Sequence, residues 1–137
     1  MTKNIIYSAF AVITLAAVSV LGLAANNADQ EIATATTHAQ MASDAANART
    51  AAMHFHHVIN CLVGPKSKLF DAAVGNPCND MGNGALNDVE KKSATYGKLE
   101  RALALAEQAT KAKDLAATQE FAARISKVLK SINLNDY

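Results

Sequence analysis

The chain has 137 residues, and its 13 basic and 12 acidic side chains give a formal net charge of only +1 at neutral pH. This balance argues against nucleic-acid binding, which needs a clustered excess of lysine and arginine, and it supplies no polybasic patch for anionic lipids. The length is enough for one domain around one hydrophobic core.

Residues 1–24 have the pattern of a secretory signal peptide. A short basic start is followed by the apolar run IIYSAFAVITLAAVSVLGLA, with Gly22 and Ala24 at the −3 and −1 positions of a cleavage site. An apolar run of about 20 residues could also span a bilayer, so a retained anchor is the alternative. No basic stop-transfer cluster follows the run, which favours cleavage. We therefore expect a periplasmic or secreted protein without membrane contact after cleavage.

The remaining residues, 25–137, are predicted to form a single all-α domain. Alanine, the strongest helix former, dominates residues 28–52 and 102–123. Glycine and both prolines are concentrated between Gly64 and Gly84, which predicts one long irregular segment between two helical halves. Apolar residues recur in each half at steps of three and four, the pattern of amphipathic helices.

Each half is predicted to be a helical hairpin. Asn47 and Asp114 are of the residue types that begin helices, and each follows a short polar stretch. Short turns make neighbouring helices antiparallel, which favours a four-helix bundle; one unbroken helix through the first half is the alternative. The hairpins span 28–63 and 88–132, with helices at 28–43, 47–63, 88–111 and 114–132, and a loop over 64–86 joins them.

The two cysteines are predicted to form a structural disulfide. Cys61 lies near the end of the second helix and Cys78 lies in the loop. In an exported chain such a pair is oxidised, and closing this loop stabilises the fold by about 3 kcal/mol if the chain-entropy account holds. A metal-binding thiolate at Cys61 is the less favoured alternative. The sequence contains no C-x-x-C-H motif, so covalent haem is excluded.

Three of the four histidines fall in the stretch MHFHHVINCLVG, residues 53–64. On a helix, His54 and His57 are three residues apart and share a face, whereas His56 points about 160° away from His54. Such an i, i+3 pair can hold a metal ion. The alternative is a polar helix end whose histidines interact with the helix dipole and bind no metal.

The fourth histidine, His38, is predicted to join this pair. If the first hairpin turns near residue 46, His38 precedes the turn by as many residues as His54 follows it, so the two are level. We therefore predict that His38, His54 and His57 bind one divalent transition metal: copper, nickel or zinc. His56, Met41 or water would complete the coordination shell.

The stretches THAQMASDAANART and MHFHHVINCLVGP, followed by FDAAVGNPCNDMGNGA, resemble small exported alanine-rich helical proteins of proteobacteria. The hairpin character is also similar to the small metal-binding protein family, whose members are periplasmic four-helix bundles that hold divalent metals through many histidines. The similarity covers the hairpins and not the 64–86 loop, and this chain has only four histidines. The resemblance implies a periplasmic bundle more than it implies high-capacity metal storage.

The predicted function is periplasmic metal binding or buffering by the first hairpin. The alternative is a non-enzymatic interaction module in which the loop presents Leu69, Phe70 and Met81 to a periplasmic protein partner. No set of nucleophile, base and orienting residue can be assembled from the sequence, and no pair of acids lies in apolar surroundings. We therefore expect no enzymatic activity.

Overall fold

A computed structural model describes residues 21–134 of the chain. The described residues form five α-helices, one short 3-10 helix and no strand. The predicted signal peptide over 1–24 lies almost wholly outside them and stays a prediction. Among the described helices, none combines the length and the apolar character needed to cross a membrane. The helices are α1 (Leu21–Ser43), α2 (Ala48–Val63), α3 (Ala85–Asp88), α4 (Ala94–Ala109) and α5 (Leu115–Lys130), and the 3-10 helix is Ala72–Val74.

The four long helices pack as a bundle in the cyclic order α1, α2, α4, α5, and α2 also contacts α5 across it. Large apolar side chains from three of these helices fill the centre. On α1 the buried face consists mainly of alanine, whose small side chain lets α1 approach both of its neighbours closely. The predicted all-α bundle of two hairpins is confirmed. The largest fully buried apolar side chains are Phe55, Leu62, Leu99, Ile125 and Leu129.

Both hairpin turns lie where the helix-starting residues predicted them. The Asn47 side chain accepts a hydrogen bond from the Thr50 amide at 2.9 Å, and the Asp114 side chain accepts one from the Ala117 amide at 2.8 Å. Each bond satisfies an amide that the first helical turn leaves without a backbone partner. Residues 28–63 are therefore two helices and not one.

The third long helix begins later than the sequence pattern predicted, at Ala94 instead of residue 88. The Ser93 hydroxyl accepts a hydrogen bond from the Tyr96 amide at 3.1 Å and caps this helix. Asn87, the residue directly before the predicted start, donates from its side chain to the Val63 carbonyl at 2.9 Å. Its side chain fixes the end of the loop to the end of α2, so it is not free to begin α4.

A disulfide between Cys61 and Cys78 joins α2 to the loop, with a Cα–Cα distance of 5.3 Å. This pairing confirms the predicted disulfide. It also excludes a Cys61 thiolate as a metal ligand in the oxidised protein, because both sulfurs are bonded to each other.

A buried carboxyl group on α1 contacts the other end of the loop. Glu31 is only 1 % exposed, and its Oε1 accepts a hydrogen bond from the Gly84 amide at 2.8 Å. Its Oε2 is buried and has no hydrogen-bond partner among the described residues. The pKa of Glu31 is raised from 4.5 to about 7, mainly because the carboxyl group is buried; the Gly84 amide opposes the shift, and the nearby Asp88 carboxylate contributes to it.

Replacing Glu31 by glutamine should therefore change how stability depends on pH. Between pH 4.5 and 7 the folded state holds a proton that the unfolded state has released, so the contribution of Glu31 to stability falls as pH rises through this window. A neutral glutamine keeps a side-chain oxygen that accepts the hydrogen bond from the Gly84 amide. Because glutamine does not titrate, it removes the loss of stability with rising pH. We expect the metal-free Glu31→Gln variant to gain stability relative to the wild type across this range, by up to about 3 kcal/mol above pH 7.

Urea denaturation of both proteins at pH 5 and pH 8 measures this difference. Comparing the two proteins at each pH cancels the contribution of the other titrating groups, including the histidines. A stability difference that is the same at both pH values would contradict a raised pKa at Glu31.

Candidate metal centre

Three histidines from the two antiparallel helices of the first hairpin meet between one and three helical turns from the hairpin turn. His38 comes from α1, and His54 and His57 come from consecutive turns of α2. The Nδ1 atom of His38 lies 3.2 Å from Nδ1 of His54 and 3.3 Å from Nδ1 of His57. This confirms that His38 is level with the α2 pair, because equal numbers of helical residues on either side of the turn give equal rises.

The spacing of these nitrogen atoms suits one metal ion. Two nitrogens bonded at about 2.0–2.1 Å to a tetrahedral ion lie about 3.3 Å apart. The two contacts of His38 have this separation, and one ligand atom from each of the three residues lies within 4.8 Å of both others. The three rings are tilted against one another instead of being stacked, so their nitrogen lone pairs can converge on one point.

A backbone carbonyl of the loop determines the tautomer of His57. Nε2 of His57 lies 2.7 Å from the carbonyl oxygen of Val74, in the 3-10 helix. A carbonyl only accepts hydrogen bonds, so Nε2 must carry the proton. In the neutral ring Nδ1 is then unprotonated, and its lone pair faces His38. This is the arrangement of metal-binding histidines, whose second nitrogen donates to a carbonyl or carboxylate.

The proton count of the cluster also favours a cation. An imidazole nitrogen has a single direction in the ring plane, which holds either a proton or a lone pair. Nδ1 of His38 therefore cannot donate to one neighbour and accept from the other at the same time. Without a cation, a single proton on Nδ1 of His38 would have to be shared between the hydrogen bonds to His54 and His57. A metal ion would instead bind the lone pairs of all three nitrogens at once.

The surroundings keep two of these rings neutral. The pKa of His38 is lowered from 6.5 to about 4, mainly by burial and in part by the neighbouring His57 and His54. Burial, followed by the proximity of His57, also lowers the pKa of His54. A neutral imidazole is the form that coordinates metal, so these lone pairs are available at neutral pH. All three side chains are half-buried, so an ion can reach them from solvent.

The other two predicted ligands lie at the edge of this cluster or outside it. His56 contacts Asp71, with 3.4 Å between Nδ1 and the carboxylate oxygen, and it is not among the three residues close enough to hold one ion. Its position agrees with the helical phasing, which directs it away from His54. Met41 lies one turn after His38 on α1 and is 45 % exposed. A role for its thioether stays a prediction.

Sequence reasoning missed the outer contacts of the site. No residue type marks Val74, because every residue carries a carbonyl. Asn60 carried a signal, since it is a polar residue within the apolar run VINCLV, and it is 1 % exposed in the fold. Its amide bonds to Asp71 and Gly75, on either side of the 3-10 helix.

The loop surface differs from the predicted one. Of the three apolar residues expected to face a partner, Leu69 is 45 % exposed, whereas Phe70 and Met81 pack against the core. Met81 also lies 3.6 Å from the hydroxyl of Thr34 on α1. Of these three side chains, Leu69 is exposed, and Phe70 and Met81 are partly buried.

In comparisons with protein-family models, curated proteins and solved structures, the chain matches none of them.

Proposed function

We propose that the protein binds one divalent transition metal ion through His38, His54 and His57 and serves as a metal-binding or metal-buffering protein of the periplasm. This proposal rests on the Nδ1 atoms of His54 and His57, which lie 3.2 Å and 3.3 Å from Nδ1 of His38. The periplasmic location rests on the signal-peptide pattern of residues 1–24 and on the resemblance to small exported metal-binding bundles.

The chemistry of the donor set favours copper, nickel or zinc. Imidazole suits these ions, whereas calcium and magnesium require oxygen ligands. Three neutral rings leave a fourth position for water, Met41 or an exchanging ligand. A half-buried centre with an open position can release its ion as well as bind it, which suits buffering better than permanent structural binding.

Calorimetric titration of tag-free protein lacking residues 1–24 with Cu²⁺ and Zn²⁺ tests this proposal. We expect saturable binding of one ion per chain, with Cu²⁺ tighter than Zn²⁺ because an unselective nitrogen site follows the Irving–Williams order. Structural zinc sites bind far more tightly than a dissociation constant of about 100 μM. If the titration shows no saturable binding with a dissociation constant below this value, the proposal is contradicted.

A second candidate function is protein binding by the loop. Exposed Leu69 borders a groove of about 360 Å³ between the loop and α4. Apolar side chains and two lysines, Lys66 and Lys91, line this groove. Such a groove suits an apolar segment that carries acidic residues. Pull-down from periplasmic extract with the wild type and with Leu69→Ser tests it; a partner retained equally by both proteins would exclude this groove. The groove is lined by Val63, Lys66, Ser67, Leu69, Leu86, Asn87, Lys91, Tyr96 and Leu103.

A further inference from the structure

The segment from Asp71 to Gly75 contacts the metal centre from outside. The Val74 carbonyl accepts the Nε2 proton of His57, and the Asp71 carboxylate contacts His56. Both contacted histidines lie on α2, about one helical turn before Asn60 and Cys61. The segment itself lies within the loop that the Cys61–Cys78 disulfide closes.

Asn60 fixes this segment one helical turn from His57. Its Nδ2 donates to the carbonyls of Asp71 and Gly75, each at 2.8 Å, and its Oδ1 accepts from the Asp71 amide at 2.9 Å. The buried amide thus holds both ends of the 3-10 helix, which places the Val74 carbonyl against His57. Because the side chain is 1 % exposed, these hydrogen bonds are shielded from competing water.

Little apolar burial holds the segment in place. No residue of the 3-10 helix Ala72–Val74 is buried. Its position therefore depends on the hydrogen bonds of Asn60 and on the disulfide, which limits the conformations open to the loop.

We propose that the disulfide controls the metal affinity of the three-histidine centre, so that its reduction by a dithiol weakens the binding of the ion. The dithiol supplies two electrons and two protons: the Cys61–Cys78 bond breaks, two thiols form, and the dithiol becomes a cyclic disulfide. The loop then gains freedom, the Val74 carbonyl leaves Nε2 of His57, and that ring is no longer held in the coordinating tautomer and orientation. This inference rests on the proposed metal binding.

The test compares metal affinities of folded variants by calorimetric titration with Zn²⁺. Cys61→Ala/Cys78→Ala removes the disulfide without leaving a thiol that could itself bind metal. Asn60→Ala keeps the disulfide and removes the hydrogen bonds that place Val74. The matched control is Asn79→Ala, since the side chain of this exposed loop asparagine bonds only to its neighbour Asp80 in the described part of the chain. Far-UV circular dichroism checks that each variant remains helical.

We expect the double cysteine variant and Asn60→Ala to bind Zn²⁺ about 10- to 100-fold more weakly than the oxidised wild type, the usual effect of losing an outer-shell partner. Asn79→Ala should bind like the wild type. If the double cysteine variant does not fold, Asn60→Ala decides whether the loop contacts matter. The imidazole ¹⁵N chemical shifts of His57 provide a second measurement. They should show the Nε2-protonated tautomer in the wild type and a mixture of both tautomers in Asn60→Ala.

Two results would overturn the inference in different ways. Wild-type affinity in both the double cysteine variant and Asn60→Ala would exclude control by the loop while leaving the metal site intact. Absence of Zn²⁺ binding in the oxidised wild type would refute the proposed function, and this inference with it.

Discussion

Replacing His38 by alanine is expected to weaken metal binding by about 100-fold or more, a larger effect than loss of an outer-shell partner produces. His38 is the one histidine of the cluster that comes from α1, and its Nδ1 makes both of the short nitrogen–nitrogen contacts of the cluster. Without it, His54 and His57 remain as a two-histidine site on one helix, which holds an ion weakly. Titration with Zn²⁺ and Cu²⁺ at neutral pH measures the effect.

The matched control for this prediction is His56→Ala. His56 neighbours a ligand in sequence but contacts Asp71, so its replacement removes an imidazole without removing a nitrogen from the cluster. We expect at most a modest loss of affinity in this variant. Equal losses in His38→Ala and His56→Ala would show that histidine content, and not the three-histidine geometry, determines binding.

Replacing Gly64 by alanine is expected to destabilise the fold by about 3–5 kcal/mol, because it combines overpacking with a left-handed backbone conformation. Gly64 follows α2 with φ of +71°, and a Cβ there would lie 1.8 Å from the carbonyl oxygen of Asn83. Gly84 lies on the other side of this close crossing of the two backbone segments, and a Cβ there would lie 2.3 Å from the Gly64 nitrogen. The two ends of the loop therefore touch through their backbones, and neither can move aside easily. Urea denaturation measures the loss.

Two other glycines separate the contributions to this effect. Gly75 also has a positive φ, +88°, but a Cβ there meets nothing within 4 Å, so Gly75→Ala should lose only about 1–2 kcal/mol from backbone strain. Gly97 lies within α4 with open space around it, so Gly97→Ala should gain about 0.5–1 kcal/mol from helix propensity. If Gly64→Ala is no worse than Gly75→Ala, the close crossing does not limit stability.

Features that depend on local periodicity could be predicted from the sequence alone. Helix propensity and capping side chains identified the turns at Asn47 and Asp114, because these signals act between residues a few positions apart. The export pattern and the cysteine count predicted the disulfide. The 3.6-residue repeat placed His54 and His57 on one face, and the equal spacing around the turn placed His38 beside them. The family resemblance and the periplasmic location stay predictions.

Only the tertiary structure decided how the loop meets the helices. Asn87 joins Val63 instead of starting a helix, Glu31 is buried beneath Gly84, and the Val74 carbonyl receives the proton of His57. Each contact joins residues 17 or more positions apart, and in each at least one partner is a backbone group that every residue possesses. Sequence patterns report which side chains are present and at what spacing. Which backbone group lies beside them depends on the path of an irregular loop, and that path is fixed by packing across the whole fold.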